Sequence, residues 1–404
     1  MIKELKKKRI RDWCLFDFGI SSYPTLIITF IYGAFYAKEI AQTPEVGTSN
    51  WGFAISIGSA LSFFLFLTIF LQGKEKKTKI SMTFFRLSFY FLIFGVSSLF
   101  FFGDQSNQYY PLIIIGLSLV SFEVINFFYN LSLHIVAKKE KRGMVSSLGW
   151  ALGYLGGLMS LALVFLILNF SNDQNYEIFG VSVFLFVGPF VGLWTFIFGF
   201  RHIKSFRDKY FIIENFKNFS STLKQTNTHI FFISYFFFNN SVICIFSFAS
   251  MFASFLYGLK EEQILILGIS INLSGIIGCI ILGRIEDRFG SEKVIKICIL
   301  SLLLATLGLY FTFDKNVFWL LALLIGFFIG PIQAASRSLV SKRMESESQF
   351  SAFCVYSMFG NACSILGPFL VGIVIHLSSS IRTGLLVIPM FFLLSLFFLK
   401  RSNA

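Results

Sequence analysis

The stretch Arg201-His202-Ile203-Lys204-Ser205-Phe206-Arg207-Asp208-Lys209-Tyr210, continuing to Thr228, is the longest interruption in an otherwise apolar chain. It is basic and polar. On each side of it lie six apolar runs, each of about the 20 residues that a helix needs to cross a hydrocarbon core. The predicted spans are 12–37, 51–72, 80–102, 109–137, 146–170, 178–200, 229–257, 262–283, 292–313, 316–341, 350–377 and 381–399. The expectation is an all-α membrane protein of twelve transmembrane helices in two six-helix bundles. Residues 1–200 form the first bundle, 201–228 a cytoplasmic linker, and 229–404 the second bundle.

The composition excludes a soluble globular class. Of 404 residues, 55% are hydrophobic and 14% charged, and the mean hydropathy is +0.75. The net charge of +13 would fit a nucleic-acid partner, but its placement argues otherwise. Of the 34 Lys and Arg, 29 fall at the termini or in every second loop. That alternation is the positive-inside signature, so both termini are expected in the cytoplasm, with the basic loops facing anionic lipid head groups. The first span is too long for a cleavable signal and lacks a small-residue cleavage site, so it reads as a true span. Six Cys lie scattered inside spans, without metal-type spacing. No metal, cofactor or nucleic-acid partner is expected. The compact loops offer no nucleophile–base set and no phosphate-cradling glycine loop, which argues against an enzyme.

Six spans plus six spans is the pattern of the major facilitator superfamily, in which substrate binds near the midplane between two repeats. The loop after span 8, Gly283-Arg284-Ile285-Glu286-Asp287-Arg288-Phe289-Gly290, resembles that superfamily's G-x-x-x-D-R-x-G signature. Gly283, Asp287, Arg288 and Gly290 are therefore expected to form a conformational latch. The equivalent loop after span 2, Gln72-Gly73-Lys74-Glu75-Lys76-Lys77, has no Asp, so the latch is expected to be one-sided. Small residues mark close helix contacts. Gly149, Gly153, Gly156 and Gly157 mark span 5, and Gly367 with Pro368 marks span 11. By the superfamily pattern, spans 2, 5, 8 and 11 form the interface between halves.

Further segments resemble the autophagy-related protein 22-like family of vacuolar amino-acid effluxers and its bacterial members. Trp13-Cys14-Leu15-Phe16-Asp17-Phe18-Gly19-Ile20-Ser21 is similar to that family's W-x-x-Y-D-W-A-N-S. Val145-Ser146-Ser147-Leu148-Gly149-Trp150-Ala151-Leu152-Gly153-Tyr154-Leu155-Gly156-Gly157 opens span 5, and Gln333-Ala334-Ala335-Ser336-Arg337-Ser338 lies in span 10; both match further family motifs. The resemblance implies a secondary transporter of a small polar solute, with amino acids favoured, working by alternating access. A monomer is expected, and the compact loops suit a bacterial inner membrane, with a vacuolar-type membrane as the alternative. Three positions depart from the family. Ile20 replaces its Asn, Asn240 its span-7 acid, and Asn361 its span-11 Lys. A non-transporting receptor on the same fold, or a carrier of sugars, peptides or other metabolites, is the alternative.

Charge near the bilayer centre costs about 2.5–3.5 kcal/mol, so polar residues inside spans default to functional candidates. Glu123 sits mid-span 4, followed by Asn126, Asn130 and His134 on one helical face. Glu123 is the expected proton carrier. Asp17, with Ser21 one turn on, and Arg337 are expected at a cytoplasmic gate, as a pair. Asn239, Asn240 and Gln333 complete the expected substrate or ion pathway.

Overall fold

The computed structural model describes residues 2–72, 78–81, 83–103, 107–170, 177–178, 181–205, 210–213, 220, 223–224 and 226–402. Twelve helical spans cross from one face to the other: Lys8–Ile40, Val46–Leu71, Thr83–Phe101, Tyr109–Val136, Lys139–Ile167, Val183–Lys204, Thr228–Tyr257, Gln263–Phe289, Ser291–Phe311, Lys315–Arg343, Gln349–Ser378 and Ile381–Arg401. We number them 1 to 12. An even number returns the chain to the side where it began, so both termini share one end. That end also carries the basic loops and is called the basic end below.

Turn chemistry explains the tight connections at the two ends. Span 7 stops at Gly258, which adopts φ 62°. There Gly258 N–H donates to Ser254 O and Leu259 N–H to Ala253 O, closing the last turn. Lys260 N–H then donates to Gln263 Oε1 and opens span 8. Gly290, at φ 93°, makes the sharp turn between spans 8 and 9. Asp314 caps span 10 by accepting from Asn316 N and Val317 N at 2.7 and 3.0 Å.

Span 1 is not a plain α-helix. Pro24 opens a π-helical segment, Tyr23–Phe30. Lacking an N–H, Pro24 cannot continue the α ladder, and the widened turn absorbs the fault. A second π segment, Tyr36–Ile40, follows a short α turn.

Two small antiparallel ladders lie outside the spans. Strand β1 (Thr78–Ser81) pairs with β4 (Tyr210–Ile213), Thr78 opposite Ile213 and Ser81 opposite Tyr210. Strands β2 (Glu177–Ile178) and β3 (Val181–Ser182) form the other. The stretch expected as a linker therefore pairs, in part, with the loop after span 2, and β4 also lies against span 11.

The most extensive contacts between the first six and last six spans join span 5 to span 8 and span 2 to span 11. The span-5 glycines do not make them. A Cβ at Gly149 would strike Trp13, one at Gly153 would sit 2.9 Å from Ser21 Oγ, and one at Gly157 would sit 2.6 Å from Thr25 Oγ1. Gly156 faces the Phe18 backbone. The row packs span 5 onto span 1, within the first six helices, and corrects the expectation of a row at the interface between halves. Gly367 likewise faces Asn240 and Cys244 of span 7. Pro368 lies inside the span-11 helix.

Candidate functional site

Most of the polar candidates converge where the two sets of six spans meet. Arg337 of span 10 is buried, at 3% exposure. Its guanidinium crosses into the first six spans and uses its whole fork. Nε donates to Ser146 Oγ at 2.9 Å, Nη2 to Ser146 O at 2.8 Å, and Nη1 to Asn130 Oδ1 at 3.0 Å. Its carbon lies 4.8 Å from the Trp13 ring centroid and 5.0 Å from that of Tyr129. Ser146 Oγ also donates to Ala334 O on span 10 at 2.7 Å. A buried cation needs such matching, because an unmatched donor in hydrocarbon has no water to fall back on.

Trp13 and Tyr129 form the platform under this cation. Their rings stack at 4.2 Å. Trp13 Nε1 donates to Tyr129 O at 3.1 Å and to Ser132 Oγ at 2.9 Å, which fixes the indole. Gly149 leaves the room for both rings. On the far side, Tyr129 Oη donates to Asp17 Oδ2 at 3.0 Å. Asp17 and Arg337 are therefore not the direct ion pair expected from sequence. The phenol of Tyr129 stands between them. Asp17, Ser21 and Thr25 are part-exposed at four-residue spacing along one face of span 1.

The polar stripe of span 4 faces the last six spans. Glu123 Oε2 accepts from Asn361 Nδ2 of span 11 at 3.2 Å, and Asn361 also donates to Ser357 O at 2.9 Å. Glu123 and Asn126 are part-exposed and Asn130 meets Arg337. His134 turns back on its own helix, with Nδ1 2.5 Å from Leu131 O. Stacked at 4.2 Å near this level are Tyr235 and Tyr356, of spans 7 and 11.

The candidate pair of Asn residues in span 7 divides. Asn239 Oδ1 accepts from Gln333 Nε2 at 2.7 Å, joining spans 7 and 10. Asn240 points elsewhere: its Nδ2 donates to Phe236 O at 2.7 Å and meets Cys363 Sγ at 3.1 Å. Successive helix residues are about 100° apart, so the two amides meet different principal partners. Asn240 packs between spans 7 and 11.

The latch residues sit at the basic end. Asp287 Oδ1 accepts from Met144 N at 3.1 Å, capping the helix of span 5 from across the interface. Lys141 Nζ lies 3.7 Å from Asp287 Oδ2. Beside it, Glu286 Oε1 takes Ser291 Oγ at 2.6 Å and Lys342 Nζ at 3.0 Å. A Cβ at Gly283 would lie 2.5 Å from that of Ser147, so the glycine permits the approach of spans 8 and 5. Arg288 is exposed, and no hydrogen bond or ion pair joins it to a described residue. The expected counterpart Gly73-Lys74-Glu75-Lys76-Lys77 lies outside the described residues.

Sequence reasoning missed Tyr129, Ser146, Arg142 and Gly143. Arg142 Nη1 donates to Ser341 O of span 10 at 2.5 Å. A Cβ on Gly143 would lie 2.6 Å from Glu286 Cδ and 2.8 Å from Asp287 Oδ1. Only Ser146 carried a signal, as part of the span-5 motif.

The comparisons with known proteins agree with this architecture. YxiO of Bacillus subtilis (strain 168), described as an uncharacterized MFS-type transporter, is 24% identical over 98% of this chain and 95% of its own. Autophagy-related protein 22 of Pichia angusta is 23% identical over 62% of this chain and 53% of its own. Among solved structures, a bacterial homologue of the iron transporter ferroportin, in an outward-facing state, matches with a TM-score of 0.74. It is 11% identical over 99% of both chains. The MFS proton:xylose symporter XylE matches at 0.73, with 10% identity over 97% of this chain and 94% of its own. The family model described as vacuole effluxer Atg22 like matches residues 130–404, and the chain belongs to that family of major facilitator transporters.

Proposed function

We propose that this secondary transporter moves a small polar organic solute, amino acids by family resemblance, through alternating access of its first and last six spans. The observation that carries the reading is Glu123. Its carboxyl sits mid-span, part-exposed, and accepts a hydrogen bond from Asn361 in the opposite six spans. A carboxyl bridging two moving bodies changes its hydration and partner when they move, which is what a coupled proton carrier needs. Asp17, Ser21, Asn126, Asn130, Asn239, Gln333 and Arg337 complete the pathway in this reading.

The closed face is the basic end, assigned here to the cytoplasm of a bacterial inner membrane with both termini inside. Arg337 in its cradle, Arg142 on Ser341 and Asp287 on Met144 all join the two sets of six spans there. Opening that end has to break them together. The latch of Gly283, Asp287 and Gly290 then favours the state closed to the cytoplasm.

Reconstituted vesicles given a labelled amino-acid mixture, with and without an inward proton gradient, test the reading beside Glu123→Gln. Gradient-driven uptake that the variant loses is the expected outcome. Equal uptake by the two proteins removes Glu123 from the path. No uptake by folded protein shifts the cargo to sugars, peptides or other metabolites.

A further inference from the structure

Tyr129 touches both Asp17, on the part-exposed face of span 1, and Arg337, in the closure at the basic end. Its hydroxyl donates to Asp17 Oδ2 at 3.0 Å. Its ring face carries the Arg337 guanidinium at 5.0 Å. It stacks on Trp13 at 4.2 Å, and Trp13 carries the same guanidinium at 4.8 Å. No ion pair joins Asp17 to Arg337 directly.

We propose that Tyr129 is a positioning residue that couples Asp17 to the Arg337 closure, so that whatever engages the carboxylate reaches the closed basic end through the phenol. This rests on the alternating-access reading above. The mechanism is geometric. Trp13 at 4.2 Å and Phe16 at 5.6 Å stack against the Tyr129 ring, and its hydroxyl end is held by a hydrogen bond. Asp17 supplies that hold, and the aromatic pair then stays under the guanidinium while Ser146 and Asn130 take its fork. A charge-assisted hydrogen bond is the stronger kind, and cation–π contact grows when the cation is desolvated. When a cavity group draws Asp17 away, the phenol loses its anchor and the platform loosens. The coupling runs in reverse as well, since linkage between two sites is reciprocal.

The coupling is separable from cargo. Ser147, 1% exposed and facing Gly283 across the interface of spans 5 and 8, becomes a reporter as Ser147→Cys, a near-isosteric change. The purified full chain in detergent is treated with a maleimide, and labelling at 147 is read against the same chain without the reporter. Tyr129→Phe keeps the ring, the stack and the cation–π contact, and removes only the hydroxyl. Asp17→Ala removes the acceptor and leaves the platform untouched. Each is expected to raise the labelling rate about five-fold, and the double variant is expected to label no faster than either single one.

Two results overturn the proposal. One is a Tyr129→Phe variant that labels at the parent rate, as a purely structural ring would. The other is a double variant whose effect is the product of the singles, since independent sites multiply. If Tyr129→Phe does not give folded protein, by thermal midpoint, then Asp17→Ala alone decides: parent-rate labelling overturns the coupling. Failure of amino-acid uptake bears on the transport reading and leaves this cycle intact.

Discussion

Arg337 and Glu123 are two charges within the same helical interface, and they are held in opposite ways. Arg337 donates three hydrogen bonds and lies against two rings at 3% exposure. Glu123 is part-exposed and takes one hydrogen bond at 3.2 Å. The first arrangement gives each guanidinium nitrogen an acceptor and offsets much of the cost of dehydration. The second leaves lone pairs over for water, a proton or a ligand. A charge with every nitrogen partnered acts as a fixture of the fold, whereas one with spare capacity is available for chemistry.

The contrast can be broken first at the fixture. Arg337→Ala strands Asn130 and Ser146 and opens a void beside the stacked rings of Trp13 and Tyr129, so a loss of about 3–5 kcal/mol is expected. Thermal unfolding in detergent reads it directly. Arg337→Lys is expected to recover little, because one ammonium cannot reach a fork of three acceptors held at fixed directions. Full recovery by lysine would mean that the charge matters and the fork does not.

At Glu123 the expected pattern inverts. Glu123→Gln keeps an acceptor for Asn361, and its thermal midpoint should stay within about 0.5 kcal/mol of the parent, even as gradient-driven uptake is lost. A large fall in stability would class Glu123 with Arg337 and erase the distinction. The smallest effect is expected at the latch. Gly143→Ala pushes a methyl against the carboxyl of Glu286 and the Asp287 oxygen, 2.6 and 2.8 Å away. These are side-chain ends that shift at modest cost, about 1 kcal/mol. Maleimide labelling of Ser147→Cys should rise a few-fold, with only a small fall in thermal midpoint.

The spans were legible because hydropathy integrates over about 20 residues and the bilayer selects for it. Their polar first turns were not. The span-2 helix starts at Pro44, inside Pro44-Glu45-Val46-Gly47-Thr48-Ser49-Asn50, where nothing apolar announces it. Thr43 Oγ1 accepts from Val46 N there, a cap that hydropathy does not register. Glu123 and Arg337 stood out as charges in apolar runs. Tyr129 did not, since an aromatic at helical spacing reads as core, and only its 3.0 Å bond to Asp17 gives it away. The pairing of Asp17 with Arg337 was drawn from similar depth in two helices. Depth fixes height along the membrane normal and says nothing about what stands between. The glycine row of span 5 was read by its spacing, which shows close approach but not to which neighbour.

The ladder of Thr78–Ser81 with Tyr210–Ile213 has a consequence for cutting the chain. If the protein is to be rebuilt from two separately expressed fragments, a break after residue 200 strips the first fragment of a strand that its own loop hydrogen-bonds. A break after Ile213 leaves that strand in place, and the fragments then meet through helix packing and the bonds of Arg337, Arg142, Asp287 and Glu123. By its hydrogen bonds, the stretch that looks like the tether between two bundles is in part a piece of the first.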